Sequence, residues 1–282
     1  MVKQFIINPS SVTRSVMAFC RQHRDMLLQL MLVPVIISSL VSAWSSAEFY
    51  QKLAQIPQAD QASDAGQTID LLTQLSLIDG NIFFSFAIAL YFEIAFLRAV
   101  ILFVLQAPPQ PLWRYFLPCK QILSFFGVFI MILLLVTLPG SLVASLFLGV
   151  NQSLAGLVGF LFIFLFSALY IFARLSPMLI SIAEGKWLGP ADAFRFSKVR
   201  GFVQTIIMVI ALTTMVAIFA QAILSTFALN ISAQFNQIAL PQTISFNLVT
   251  GLISNMISYI AITPIMVVMA LVYKVLKQLR DA

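Results

Sequence analysis

The sequence predicts an all-α membrane protein with six transmembrane helices and two amphipathic interfacial helices, one at the N-terminus and one between spans four and five. Three observations support this fold class. Hydrophobic residues make up 61% of the chain and charged residues only 9%, whereas soluble domains carry about 25% charged residues. Long apolar runs recur from residue 26 to residue 273, and basic residues gather at their ends. A lipid solvent tolerates such an apolar exterior, and water does not.

Residues 1–25 form the first predicted element, a cytoplasmic amphipathic helix. The run Pro9-Ser10-Ser11 is typical of a helix start, with Ser10 or Ser11 as the N-cap. Apolar side chains then recur at helical spacing, and arginines occupy the other positions. Two interpretations stay open. The segment is either a helix lying on the inner membrane surface or a simple lead into span one, which is expected to act as an uncleaved signal-anchor.

Residues 26–273 form the predicted transmembrane domain. A hydrocarbon core about 30 Å thick requires about 20 apolar residues in a helix. Six runs meet this requirement: Met26 to Ala47, Ile82 to Leu105, Ile122 to Leu148, Leu154 to Phe172, Phe202 to Leu224 and Ile244 to Tyr273. An acidic outer loop is predicted at 48–81, with a short capping helix around residues 71–77, a tight turn is predicted at 151–153, and a basic tail follows at 274–282.

Three of the predicted spans contain helix-breaking residues. Pro139-Gly140 is expected to break span three, Pro177 to kink span four, and Pro264 lies inside span six. Broken helices expose backbone groups that bind ions or substrates in transporters. Proline is also common in membrane helices as a packed kink, and the sequence favours this second interpretation.

The distribution of basic residues predicts the orientation of the chain. Fourteen of the 16 lysines and arginines fall on the proposed inner side; of the other two, Lys52 lies in the outer loop and Arg98 lies within span two. An excess of Lys and Arg marks the cytoplasmic side. An even number of spans then places both termini in the cytoplasm, and we expect a multi-pass protein of a bacterial inner membrane.

Glu93 is the sharpest functional candidate because it lies near the middle of span two. A carboxylate at that depth costs several kcal/mol unless it is paired, hydrated or protonated. Arg98 is about 140° further around the same helix and is expected to snorkel towards the headgroups. Glu93 therefore needs a partner from another helix. The candidates are Asn255, Thr213 and Thr214, with Tyr259 nearby. The site is an ion- or proton-coupled centre, a polar clamp between helices, or a neutral carboxylic acid that donates one hydrogen bond.

Residues 173–201 form a cytoplasmic interfacial segment and are the most distinctive stretch of the chain. Span four is expected to continue past Pro177 to about Glu184. Glu184-Gly185-Lys186 would form a turn, and Pro190 would open the second amphipathic helix. Four cations in this segment are predicted to contact anionic phospholipid headgroups: Arg174, Arg195, Lys198 and Arg200.

The sequence offers little support for metal sites, cofactors or catalysis. His23 is the only histidine, and the two cysteines, Cys20 and Cys119, form no Cys/His cluster. We therefore expect no metal and no cofactor. Sequence motifs of phosphate-binding loops, zinc proteases and serine hydrolases are missing, so no enzyme is predicted. Nucleic acid is not expected as a partner despite the net charge of +6, because the cations flank apolar runs.

The 173–201 segment carries a resemblance to a known family. Span four ends in Arg-Leu-x-x-x-Leu from Arg174, a Gly turn follows, and the next helix ends Phe-Ser-Lys-Val-Arg-Gly at Gly201. This pattern resembles the YciC-like family of bacterial inner-membrane proteins. It is also similar to the membrane domain of some glycerophosphodiester phosphodiesterases. Leu138-Pro139-Gly140 and the basic tail extend the likeness. The resemblance implies a six-helix protein without an assigned activity and transfers no catalytic residues.

Two functional hypotheses follow from these patterns. The first is a transporter or a lipid-handling protein with Glu93 on the wall of a hydrated or lipid-accessible site. The second is a non-enzymatic scaffold or accessory subunit, in which Glu93 is satisfied by helix contacts and a surface binds a membrane-protein partner or a second copy. In both cases the lipid bilayer and anionic phospholipid headgroups are partners.

Overall fold

The computed structural model describes residues 7–55, 80–105, 111–150, 154–234 and 244–281. Within these ranges the chain forms eight α-helices and no strand, which confirms the predicted all-α class. The helices are α1 (Pro9–Gln22), α2 (Arg24–Gln55), α3 (Gly80–Val104), α4 (Lys120–Val150), α5 (Leu154–Ala183), α6 (Pro190–Phe196), α7 (Phe202–Gln234) and α8 (Ile244–Asp281).

Six of these helices are long and apolar enough to cross a membrane, in agreement with the predicted number of spans. Their apolar stretches are Arg24–Trp44, Ala87–Val104, Lys120–Leu138, Ile163–Ala183, Phe202–Ala228 and Phe246–Gln278. Helix α2 runs on to Gln55, beyond the predicted end of span one, because a helix need not end where the hydrocarbon ends. The predicted helix at residues 71–77 and the predicted turn at 151–153 lie outside the described residues.

The chain divides into two compact units. The first unit contains residues 1–27, 94–215 and 261–282, and the second unit contains residues 28–93 and 216–260. Helices α1, α4, α5 and α6 belong to the first unit, whereas α2, α3, α7 and α8 each contribute residues to both. Within the first unit, α4 packs against α5 and α5 packs against α6. Lipid tails are as apolar as leucine, so moving a leucine from lipid into a helix contact gains little free energy. Close packing between the helices therefore contributes most of their association.

Helix α1 is capped earlier than predicted. Asn8, and not Ser10 or Ser11, is the N-cap, and its Oδ1 accepts a hydrogen bond of 3.1 Å from the amide of Ser10. Pro9 occupies the first helical position, where its missing amide proton costs nothing. Val16 is 0% exposed, and the Phe19 ring lies 5.9 Å from that of Phe103 in α3. The apolar face of α1 is therefore packed within the first unit.

The proline positions do not interrupt the spans. Pro139-Gly140 lies within α4, Pro177 within α5 and Pro264 within α8, and each helix continues through the position. The break predicted in span three is thus wrong. Neighbouring helices and local adjustments satisfy the carbonyls freed by proline, so membrane helices tolerate it.

Helix α5 ends at the turn predicted for Glu184 to Lys186. The amide of Gly185 donates to the Ile182 carbonyl at 2.9 Å, and the amide of Lys186 donates to the Ser181 carbonyl at 2.9 Å. This pair of bonds defines a Schellman motif, whose residue after the cap adopts the left-handed conformation. Gly185 does so, with φ of 82°. Glu184 and Lys277 form an ion pair at 2.8 Å beside this turn.

A second left-handed glycine, Gly201, lies where α6 leads into α7. Its φ is 88°, and a Cβ atom built at this position would lie 2.1 Å from the Ile7 carbonyl oxygen. The amide of Ile7 donates to the Arg200 carbonyl at 3.0 Å. Only glycine fits this approach, and the approach fixes the start of α1 against the start of α7.

Candidate intramembrane polar site

Glu93 lies in α3, within the spanning stretch Ala87–Val104, and belongs to the second unit. Its side chain is exposed, so it is not enclosed in a helix contact. Its carboxylate interacts electrostatically with Tyr259 of α8, in the same unit. The structure thus brings the predicted acid near one of the polar residues expected on span six.

Tyr259 connects this acid to α2. The tyrosine is buried, and its hydroxyl lies 3.3 Å from Ser38 Oγ. A phenol hydroxyl both donates and accepts, so Tyr259 can face a carboxyl group and a serine at the same time. The acid, the phenol and the serine hydroxyl come from three different helices.

Asn255 lies one helical turn before Tyr259 and bonds to the neighbouring serine of α2. Its Nδ2 donates to Ser39 Oγ at 3.0 Å, and Ser39 Oγ donates to the Val35 carbonyl at 2.6 Å. A Cβ built on Gly251 would lie 3.7 Å from Ser39 Cα. Positions 251, 255 and 259 share one face of α8 because they are four residues apart. Small residues on such a face let two helices approach closely.

Gln221 and Ser254 form a further polar contact in the second unit. Gln221 Nε2 donates to the Ser254 carbonyl at 3.0 Å, and Ser254 Oγ donates to Gln221 Oε1 at 3.2 Å. This reciprocal pair joins α7 to α8. Together with the contacts of Asn255 and Tyr259, it makes α8 the centre of what we call the polar cluster, defined as Ser38, Ser39, Glu93, Gln221, Ser254, Asn255 and Tyr259.

The two predicted threonines lie outside the unit that contains the polar cluster. Thr213 is buried, but its Oγ1 donates to the Val209 carbonyl of its own helix at 2.8 Å. Thr214 is exposed. Both belong to the first unit, whereas the polar cluster belongs to the second. A threonine hydroxyl in a helix satisfies itself on a carbonyl three or four residues back, and this removes its need for a partner.

Sequence reasoning missed Gln221, Ser38, Ser39 and Ser254. Gln221 could have been predicted from the sequence, because a side-chain amide inside a span needs a hydrogen-bond partner. The serines could not, since a serine can bond to its own helix at any depth. Arg98 was expected to extend towards the headgroups, and the structure places its side chain in a buried contact instead. It is 7% exposed and donates from Nη2 to Gln121 Oε1 in the first unit.

The four cations predicted to contact headgroups fall into two groups. Arg195, Lys198 and Arg200 are exposed, and Arg195 lies 4.0 Å from the Asp192 carboxylate. Arg174 is half-buried and is used internally. Its Nη1 donates to the Ser197 carbonyl, and its Nε donates to the Tyr170 hydroxyl at 3.1 Å. Arg174 therefore ties the end of α6 to α5.

Within the described ranges, no group of three or more His, Cys, Asp and Glu side chains is placed to hold a metal ion. The structure shows instead an uncharged hydrogen-bonding network with one carboxyl group at its side. Such an arrangement can take up a proton or bind a polar group.

Comparison with known proteins places the chain in no family. No family model, no curated protein and no solved structure matches it.

Proposed function

We propose that this chain is a transporter or lipid-handling protein of a bacterial inner membrane, with the Glu93 carboxyl group as its working residue. The exposure of Glu93 within a spanning helix carries this proposal. An acid that serves only as a clamp between helices is expected to be buried and bonded. An exposed acid inside the hydrocarbon destabilises the protein and does not join one helix to another. Such residues mark ion, proton or substrate pathways.

The polar cluster supports the same function. Tyr259, held by Ser38 at 3.3 Å, lies within electrostatic reach of Glu93. A phenol hydroxyl can both donate and accept a hydrogen bond. A proton-coupled or headgroup-binding site requires polar groups around its acid, and the polar cluster supplies them on α2 and α8. Neither transport nor lipid binding requires a catalytic step, so we do not propose an enzyme.

A scaffold or accessory subunit is the second candidate. The contacts Asn255 to Ser39 and Gln221 to Ser254 join spanning helices, as a rigid framework would need. In this case the exposed Glu93 would bind a polar residue of a partner membrane protein or of a second copy.

Replacing Glu93 by glutamine distinguishes the two candidates. We expect purified protein in liposomes to accelerate either the transbilayer movement of a fluorescent phospholipid or the uptake of protons reported by an internal pH dye. Glu93→Gln should slow that flux by about tenfold or more, which corresponds to about 1.4 kcal/mol in the barrier. Glutamine preserves the shape and removes the titratable group.

The matched control is Asp192→Asn, because Asp192 is an exposed acid outside the spanning stretches. This variant should retain the wild-type flux. Equal fluxes of Glu93→Gln and wild type would contradict the transport proposal. Loss of a co-purifying membrane protein, or of a dimer, in Glu93→Gln alone would favour the scaffold.

The proposal includes an orientation with both termini in the cytoplasm. The excess of cations on one side supports it, as does the exposure of Arg195, Lys198 and Arg200 in the segment assigned to that side. Within the same proposal, these cations contact anionic headgroups of the inner leaflet. The resemblance to the YciC-like family implies the same membrane.

Thiol labelling tests this orientation. In cells producing Asp60→Cys, an impermeant maleimide should modify position 60 directly and Cys119 only after the membrane is permeabilised. Burial raises the pKa of Cys20 to about 11, and a raised pKa keeps the thiol neutral at pH 7.5. Because the thiolate is the nucleophile, Cys20 should react slowly, and its rate should rise with pH. Labelling of Cys119 in intact cells would contradict the orientation.

A further inference from the structure

A groove of about 540 Å³ lies between α1 and the last turns of α8, within the first unit. It is lined by positions 7 and 8 just before α1, by positions 11, 12 and 15 of α1, and by positions 271, 272, 274, 275 and 278 of α8. Both helical sets recur every three or four residues, so each helix presents one continuous face to the groove. The volume is within the range of about 300–1,000 Å³ that is typical of small-molecule sites.

The lining of the groove combines apolar and polar side chains. Val272 is 1% exposed and forms part of the apolar lining with Val12. The exposed serines Ser11 and Ser15 also line the groove, and Lys274 adds a positive charge. No acidic side chain is among these lining residues, all of which lie in the described part of the chain. An occupant with an apolar body and a negatively charged head matches this distribution.

The serine hydroxyls can serve such a head. Ser11 Oγ donates to the Asn8 carbonyl at 2.9 Å, and Ser15 Oγ donates to the Ser11 carbonyl at 3.0 Å. A hydroxyl proton moves by rotation about the Cβ–Oγ bond, so both groups can leave these carbonyls and donate to phosphate oxygens. The Lys274 ammonium adds a point charge, which suits a phosphate.

The position of the groove along α8 indicates which kind of molecule occupies it. Its α8 face includes the last residues of the apolar stretch Phe246–Gln278, and headgroups are expected at the end of such a stretch. Phospholipid is the solvent at that depth. We propose that the groove between α1 and α8 binds an anionic phospholipid, with its phosphate on Lys274, Ser11 and Ser15 and its glycerol and upper acyl carbons against Val12 and Val272. This site is separate from the polar cluster and does not depend on transport through Glu93.

Lipid titration of the full-length protein in detergent tests the proposal. Delipidated protein is titrated with phosphatidylglycerol and, separately, with phosphatidylcholine, and bound lipid is counted by native mass spectrometry while the melting temperature is followed. A ligand that binds only the folded state raises the melting temperature. We expect wild type to bind phosphatidylglycerol about tenfold more tightly than phosphatidylcholine, or about 1.4 kcal/mol.

Three variants connect that preference to the groove. Lys274→Gln should abolish the preference, whereas Lys274→Arg should keep it. Lys120→Gln is the matched control, because Lys120 is exposed and does not line the groove, and it should behave as wild type. Ser15→Phe fills the groove without changing its charge and should weaken phosphatidylglycerol binding, with an unliganded melting temperature near that of wild type.

Three outcomes would overturn the proposal. The first is equal affinity of wild type for the two lipids. The second is identical behaviour of Lys274→Gln and Lys120→Gln. The third is a lipid preference that appears only after deletion of residues 2–6, which would mean that the chain's own N-terminal segment occupies the groove.

Discussion

Replacing Gly201 by alanine is expected to destabilise the protein by about 3 kcal/mol or more, because two costs add at this position. A non-glycine residue at φ of 88° is strained. The new Cβ would also lie 2.1 Å from the Ile7 carbonyl oxygen, and a backbone atom cannot rotate away as a flexible side chain could. The contact between Ile7 and Arg200 would therefore open. Thermal unfolding in detergent, followed by size-exclusion chromatography, measures the loss.

Gly127→Ala is the matched control for this substitution. Gly127 lies in α4, and a Cβ there would meet no atom within 4 Å, so alanine should be neutral or stabilise the helix by up to about 1 kcal/mol. A second readout follows from Cys20, whose thiol pKa is raised by burial. If α1 loosens in Gly201→Ala, Cys20 should be alkylated faster. Wild-type stability of Gly201→Ala would contradict the anchoring of α1 at this glycine.

The sequence was sufficient to predict the number of spans, and it was less informative about where the helices end. Runs of about 20 apolar residues are set by the thickness of the hydrocarbon, so hydropathy finds them directly. Helix ends depend on local partners. Asn8 caps α1 because Pro9 takes the first helical position. Helix α4 continues through Pro139-Gly140, because membrane helices tolerate proline.

The candidate site was partly predictable for a related reason. Glu93 and Asn255 are conspicuous because each is costly in hydrocarbon without a partner. Their surroundings were not predictable, because a serine such as Ser39 bonds to its own helix whether or not another helix is near. Thr213 shows the same property, because its hydroxyl bonds to the Val209 carbonyl of its own helix. Polarity indicates which residues need partners, and only packing shows which partners they find.

The close approach of α2 and α8 in the second unit leads to the second large effect. Ser39 is 0% exposed, and a Cβ built on Gly251 would lie 3.7 Å from Ser39 Cα. Leucine at position 39 has no space against this face, and it also deprives the Asn255 amide of its acceptor at 3.0 Å. Ser39→Leu should therefore cost about 3 kcal/mol, the upper end of overpacking in a core.

Ser39→Ala separates the two causes of this loss, because alanine removes the hydroxyl without adding bulk. It should cost only about 0.6 kcal/mol, a typical value for a hydrogen bond between membrane helices. Ser42→Leu, at an exposed position of the same helix, should leave the unfolding midpoint unchanged, because an exposed side chain has room for the added bulk. Unfolding by SDS titration ranks the three variants. If Ser39→Leu proved no less stable than Ser42→Leu, α2 and α8 would not pack closely at Gly251, and the polar cluster would lose the contact that places Asn255 beside Ser39.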